Sequence, residues 1–178
     1  MTSDWVYKNR IKLKTAMRVV FGIVWLIDGS LKFQPGTVAV FAQLVQQAGQ
    51  GQPLWIQPWF AFWFNIVSQN PGFWAYSVGI GEIALGIGLV FGLLRKLTYV
   101  VGFFMSLMIW AVPEGLGGPY GPGSTDIGTG IIYSFVFLAL MIISASYGTS
   151  RYSMDRWIEK RISWWHVLSE FGNPGVTK

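Results

Sequence analysis

Four stretches of predominantly apolar residues, each close to the length a bilayer demands, decide most of what this chain can become. They cover about residues 15–33, 73–94, 97–113 and 127–147. A hydrocarbon core of roughly 30 Å takes about 20 such residues as a helix. Only 12% of the 178 residues are charged, about half the share of a soluble domain. The expected fold class is therefore all-α, an integral membrane four-helix bundle forming a single domain over residues 1–178. The basic segment ahead of the first stretch leads into a full-length helix with no small-residue cleavage site, so it reads as a span rather than a signal peptide.

Direction follows from the cations. Lys8, Arg10, Lys12, Lys14 and Arg18 precede or open the first span, Arg95 and Lys96 fill the turn between the second and third, and Arg151, Arg156, Lys160, Arg161 and Lys178 follow the fourth. All twelve fall on one side of a four-span arrangement, with Lys32 alone near the other. The positive-inside rule then places both termini in the cytoplasm (N-in/C-in). The expected location is a prokaryotic plasma membrane, and the net charge of +5 is a topology signal. No nucleic-acid partner is expected, because the basic residues flank membrane helices. The expected partners are the lipid bilayer and further membrane subunits.

The other side carries no charge at all from Gln34 to Gly81 and is rich in Trp and Phe. Aromatic rings favour the headgroup level. Residues 37–68 therefore read as an outer interfacial segment, with short helices over 37–47 and 54–68 that lie on the leaflet or re-enter it. After the fourth span, 151–171 reads as an amphipathic cytoplasmic helix, with Met154, Trp157, Ile158, Ile162, Trp165 and Leu168 at helical spacing among basic residues. His166 lies within it and reads as interfacial. The second span carries Gly79, Gly81, Gly86, Gly88 and Gly92. Such glycines serve close packing inside the bundle or a dimer face. Gly79, Glu82 and Gly86 share a face, so Glu82 is expected to point at another helix.

There is no cysteine and one histidine. Disulfides, thiolate catalysis and Cys-ligated metal centres are excluded, and no metal site is expected. Redox chemistry would have to come from an organic cofactor, a quinone or a partner. Ions inside a span cost roughly 2.5–3.5 kcal/mol each and are functional candidates. Three are present: Asp28, Lys32 and Glu82. Asp28 and Lys32 are four apart and can pair. At 1.5 Å per residue Asp28 lies about 8 Å, and Glu82 about 14 Å, from the outer end of its span. Glu114 and Asp126 flank a Gly- and Pro-rich loop on that same side, with Trp110, Tyr120 and Tyr133 nearby. Lacking a Walker lysine, the loop is no nucleotide P-loop. Its amides, with Ser124, Thr125 and Asp126, could hold an anion or a quinone carbonyl. Helix capping is the competing role for Thr125 and Asp126. The charged cluster reads as a proton-handling quinone site, as a buried pair fixing helix register, or as an ion pathway.

Three motifs carry a resemblance. They are Arg18-Val-Val-Phe-Gly-Ile-Val-Trp-Leu-Ile-Asp28-Gly-Ser-Leu-Lys32-Phe33, Gly81-Glu82 with the glycines after it, and Trp110-Ala-Val-Pro-Glu114-Gly-Leu-Gly-Gly-Pro-Tyr-Gly-Pro-Gly-Ser-Thr-Asp126-Ile-Gly-Thr-Gly. Over about residues 15–147 the chain resembles the DoxX/DoxD family of small four-helix membrane proteins. The resemblance implies a redox-associated subunit. DoxD-like proteins form part of thiosulfate:quinone oxidoreductase of the respiratory chain, which oxidises thiosulfate to tetrathionate and passes electrons to quinone. Other DoxX relatives are placed in membrane complexes with redox-defence enzymes. The resemblance carries over no catalytic set. With the outer polar cluster and the resemblance taken together, Lys32 is the candidate to attract an anion or polarise a quinone carbonyl, Glu82 or Asp28 to deliver protons, and Tyr120 and Trp110 to border the ring. An acidic site repels a dianion, which weighs against thiosulfate binding there. The alternatives are a non-catalytic scaffold or assembly subunit and, more remotely, a small-solute transporter.

Overall fold

The computed structural model describes residues 2–120, 126–147 and 152–171. Ser124 and Thr125 lie outside the described residues. Among those described the chain is all-helical: α1 (Thr2–Leu31), α2 (Pro35–Ala48), α3 (Gln57–Gln69), α4 (Pro71–Phe91), α5 (Arg95–Ala111), α6 (Thr129–Tyr147), and the short α7 (Asp155–Glu159) and α8 (His166–Ser169). Two of these, α4 and α6, are long and apolar enough throughout to cross a membrane. α1 spans 30 residues but is basic over its first half, and α5 has 17.

Proline sets the starts of α2, α3 and α4, each with Pro at its first or second position. There the missing N–H leaves no hydrogen bond unmade and φ is already helical. The short helix expected over 54–68 thus begins at Gln57, with Pro58 in its first turn. Asn70 caps α4 by accepting from the Phe73 amide at 3.0 Å.

α1 and α4 run antiparallel in very close contact because glycines face each other. A Cβ on Gly79 would lie 2.9 Å from Lys32 Cβ and 3.1 Å from the Gly29 oxygen, and one on Gly86 would meet Leu26 and the Gly22 oxygen. The glycine face is therefore spent inside the chain. Gly88 and Gly92 are likewise occupied, by Thr98 and Arg18. α5 and α6 form the second antiparallel pair. Gly102 admits the Phe137 ring, and Gly130 lets α6 approach Ser106 and Trp110. Phe21, Trp25, Leu85, Leu89, Tyr99, Phe137 and Leu140 form one core to which α1, α4, α5 and α6 all contribute. Polar side chains are also buried, among them Ser106, Ser134, Ser144 and Glu82. Apolar ones face out in helical stripes: Val20, Ile23, Ile27 and Leu31 on α1, Leu97, Val101, Phe104 and Met108 on α5, and Ile132, Phe135, Leu138 and Ile142 on α6.

The segment after α6 departs from expectation. The described part of the helix expected over 151–171, residues 152–171, does not form one amphipathic helix. It breaks into α7, a 3-10 turn (Ser163–Trp165) and α8. Arg95 and Asp155 supply the reason. Asp155 is fully buried and accepts from the Leu94 amide (2.8 Å), the Arg95 amide (3.0 Å), Arg95 Nε (3.0 Å) and Trp165 Nε1 (2.8 Å). The same guanidinium donates to Glu170 and has Glu159 at 3.9 Å. In a straight helix Asp155 and Glu170 would stand about 22 Å apart, so the chain must fold back for both to reach one cation. Burial, together with the neighbouring Glu170 charge, holds the Glu159 carboxyl above its usual range. Trp157, one residue of the expected apolar face, is 58% exposed.

A Gly79→Leu substitution is expected to force α1 from α4 and separate Lys32 from Glu82. Overpacking of this kind costs about 1–3 kcal/mol. A drop in apparent melting temperature, together with lost crosslinking between cysteines placed on the facing sides of α1 and α4, would register it. Gly36→Leu is the matched control, since nothing lies within 4 Å of a Cβ there.

Candidate functional site

The close approach of α1 and α4 at Gly79 brings Lys32 over Glu82, three residues further along α4. Lys32 Nζ stands 3.2 Å from Glu82 Oε2, with the Glu82 side chain 3% and that of Lys32 25% exposed. The Lys32 ammonium also reaches the main-chain oxygen of Asp28 at 3.5 Å. Of the two acids within reach, the cation pairs with Glu82 across the helix interface. The Asp28 carboxylate is half-buried and forms no ion pair among the described residues.

This pair forms part of the wall of a cavity of about 430 Å³. Glu114 is the third charged group in the wall. The rest is apolar or aromatic: Phe41, Leu44 and Val45 from α2, Trp63 and Val67 from α3, Trp74 and Val78 from α4, and Met105, Met108, Ile109, Val112 and Pro113 from α5 and its end. The charge-free segment is thus the cavity's cover. It is pinned to the end of α5 by Trp59 Nε1 donating to the Ala111 oxygen (2.8 Å) and Gln52 Nε2 donating to the Gly115 oxygen (2.7 Å). Sequence reasoning missed the cover residues. A run rich in Trp and Phe signals burial or an interface, but it does not say which rings enclose a space.

The remaining candidates do structural work. Glu114 accepts from Thr129 Oγ1 at 2.5 Å and from the Gly130 amide at 2.8 Å. Both donors lie in the first turn of α6, so its carboxylate serves the orphan amides and the positive end of that helix. Gly128 leaves room for it, since a Cβ there would lie 2.6 Å from Glu114 Oε2. Asp126 is exposed and accepts from the amides of Ile127 (2.6 Å) and Gly128 (3.2 Å), a local turn. Trp110 Nε1 donates to the Ile127 oxygen at 2.8 Å, and the Tyr120 hydroxyl to the Leu116 oxygen at 2.5 Å. Trp110, Tyr120, Asp126 and Asp28 do not line the cavity. Tyr133 packs on Phe21 and Trp25 in the core. The arrangement therefore gathers Lys32, Glu82 and Glu114 at one cavity and leaves Asp28, Trp110, Tyr120 and Asp126 outside its lining. No group of three or more metal-ligating side chains occurs among the described residues.

A cavity of this kind can hold an apolar ring and offer its polar edge one cation and one buried carboxylate. A small dianion would meet two carboxylates and one ammonium. Comparison with curated proteins and with solved structures returns no match. The family model for DoxX matches residues 13–114, more than half of the chain, and that stretch contains Lys32, Glu82, Glu114 and every other cavity-lining residue. The chain is therefore a membrane protein of the DoxX family.

Proposed function

We propose that this protein is a four-span subunit of the prokaryotic plasma membrane that binds a quinone between Lys32 and the aromatic cover. The span count is supported by the outward apolar stripes on α1, α4, α5 and α6, with buried polar side chains between them. That distribution suits a protein whose solvent is hydrocarbon. The twelve basic residues away from Lys32 orient both termini to the cytoplasm and the cavity to the outer half of the membrane.

The observation that carries the functional reading is a buried Lys32–Glu82 pair in the wall of an otherwise apolar cavity. Its volume falls in the range of small-molecule sites, which are mostly apolar with a few placed polar groups. Quinone reduction takes up two electrons and two protons to give the quinol. Lys32 would donate a hydrogen bond to a ring carbonyl and favour the charge that develops on it. Glu82 would relay a proton to that oxygen. The electrons come from a donor oxidised outside this cavity. Two thiosulfates joining as tetrathionate release the two electrons required, and a partner subunit would bind that dianion.

A second reading, a non-catalytic assembly subunit, draws on a different observation. Trp110, Tyr120, Asp126 and both oxygens of Glu114 spend their hydrogen bonds within the chain. Calorimetric titration of nanodisc-embedded protein with a decyl-substituted benzoquinone separates the two. Micromolar binding is expected, together with thiosulfate-dependent quinol formation when co-purifying subunits are present. Absence of binding would leave the assembly reading in possession.

A further inference from the structure

We propose that the cavity opens sideways into the acyl chains between α2 and α5, and that its ligand is an amphiphile whose hydrocarbon tail leaves through this portal. This deepens the quinone reading and rests on it. Of the fifteen residues lining the cavity, two are exposed: Leu44 on α2 and Met108 on α5, each at 40%. Both are apolar. Met108 closes the outward stripe Leu97, Val101, Phe104, Met108, and Leu44 continues an exposed strip from Val40. The route from cavity to surface therefore emerges on the face that suits hydrocarbon.

The opposite wall explains why the tail goes this way. Behind the cavity lie Lys32 and Glu82, where α1 and α4 are in glycine-mediated contact too close for a chain to pass. Above it the cover is fastened by Trp59 to Ala111, the last residue of α5, and by Gln52 to Gly115 beyond it. Among the described residues, a ligand with its polar ring at the ion pair thus finds its most exposed apolar exit between Leu44 and Met108. Leu44 and Met108, on separate helices, form the rim past which the tail runs. The inference excludes a water-borne, tail-less solute as the preferred ligand, since the exposed rim offers it no polar group.

The natural absence of cysteine makes the test clean. Met108→Cys and Leu44→Cys, each as a single variant, are labelled in nanodiscs with a bulky membrane-soluble maleimide. Binding of the decyl-benzoquinone and of a tail-less dimethoxybenzoquinone is then compared with wild type and with Phe135→Cys, an exposed α6 position outside the lining. The unlabelled wild type is expected to bind the decyl compound at least tenfold more tightly. Labelling at 44 or 108 should weaken that binding at least tenfold, leave the tail-less compound within twofold, and have no effect at 135. Equal binding of both compounds to wild type, or labels that do not discriminate between them, would overturn the portal and leave the quinone site standing. Failure of wild type to bind either compound would overturn the quinone reading and the portal with it.

Discussion

Replacing Arg95 by Ala is expected to release the segment after α6 from the turn between α4 and α5. Arg95 is 1% exposed and is the cation shared by Asp155, Glu159 and Glu170. Removing one partner of a buried ionic group costs about 3–5 kcal/mol, chiefly because the opposite charge is left without compensation. Asp155, which is fully buried, is the carboxylate most affected here. The loss should appear first as local opening, because α7 and α8 are short and carry few other buried side chains. Trypsin sites at Arg156, Lys160 and Arg161 are exposed at their tips but sit in a held segment. An opening free energy lower by about 3 kcal/mol raises cleavage on the order of 100-fold when reclosing outruns the protease. Asp155→Asn should fall between this variant and wild type, since the amide keeps one of the two acceptor oxygens, enough for the Leu94 amide and Trp165 at the Oδ1 position but not for the Arg95 donors at Oδ2. Cleavage at the wild-type rate in Arg95→Ala would show that the clamp contributes nothing.

The second large effect concerns Lys32. With Lys32→Met the Glu82 carboxylate, 3% exposed and paired across the helix interface, is left buried without its cation. The single variant is expected to lose about 3–5 kcal/mol of stability and quinone binding together. The double variant Lys32→Met/Glu82→Gln is the informative one. Replacing a buried pair by neutral groups of similar volume is often neutral or stabilising, so its melting temperature should return to within a few degrees of wild type. Quinone binding should stay at least tenfold weaker. A pair that only fixed register would show the stability recovery with no ligand consequence.

Much of this architecture could be read from residue order. The helices, the basic end and the Gly79–Glu82–Gly86 face follow from composition and spacing, and they already placed Glu82 against another helix. Which acid answers Lys32 could not be read, because Asp28 is four residues away on its own helix and Glu82 fifty residues away. Helical spacing favours the first, whereas the glycine contact delivers the second. The capping role of Glu114 was hidden for a related reason. A carboxylate that caps a helix, as Glu114 does, and one that binds a ligand share the same residue type beside the same kind of turn. The clamp at Arg95 was hidden because 151–171 was weighed by its cations. Asp155, Glu159 and Glu170 gain meaning only when the chain folds back on Arg95. The cavity itself is a property of how α2 and α3 sit on α4 and α5, and no periodicity encodes that.

The most direct test measures decyl-benzoquinone binding to nanodisc-embedded wild type and to Lys32→Met/Glu82→Gln, with thermal unfolding recorded on the same samples. The expected result is micromolar binding by wild type and at least a tenfold loss in a double variant that unfolds at nearly the same temperature. Equal affinity in the two proteins, or no binding by wild type, would contradict a ligand site built on the Lys32–Glu82 pair.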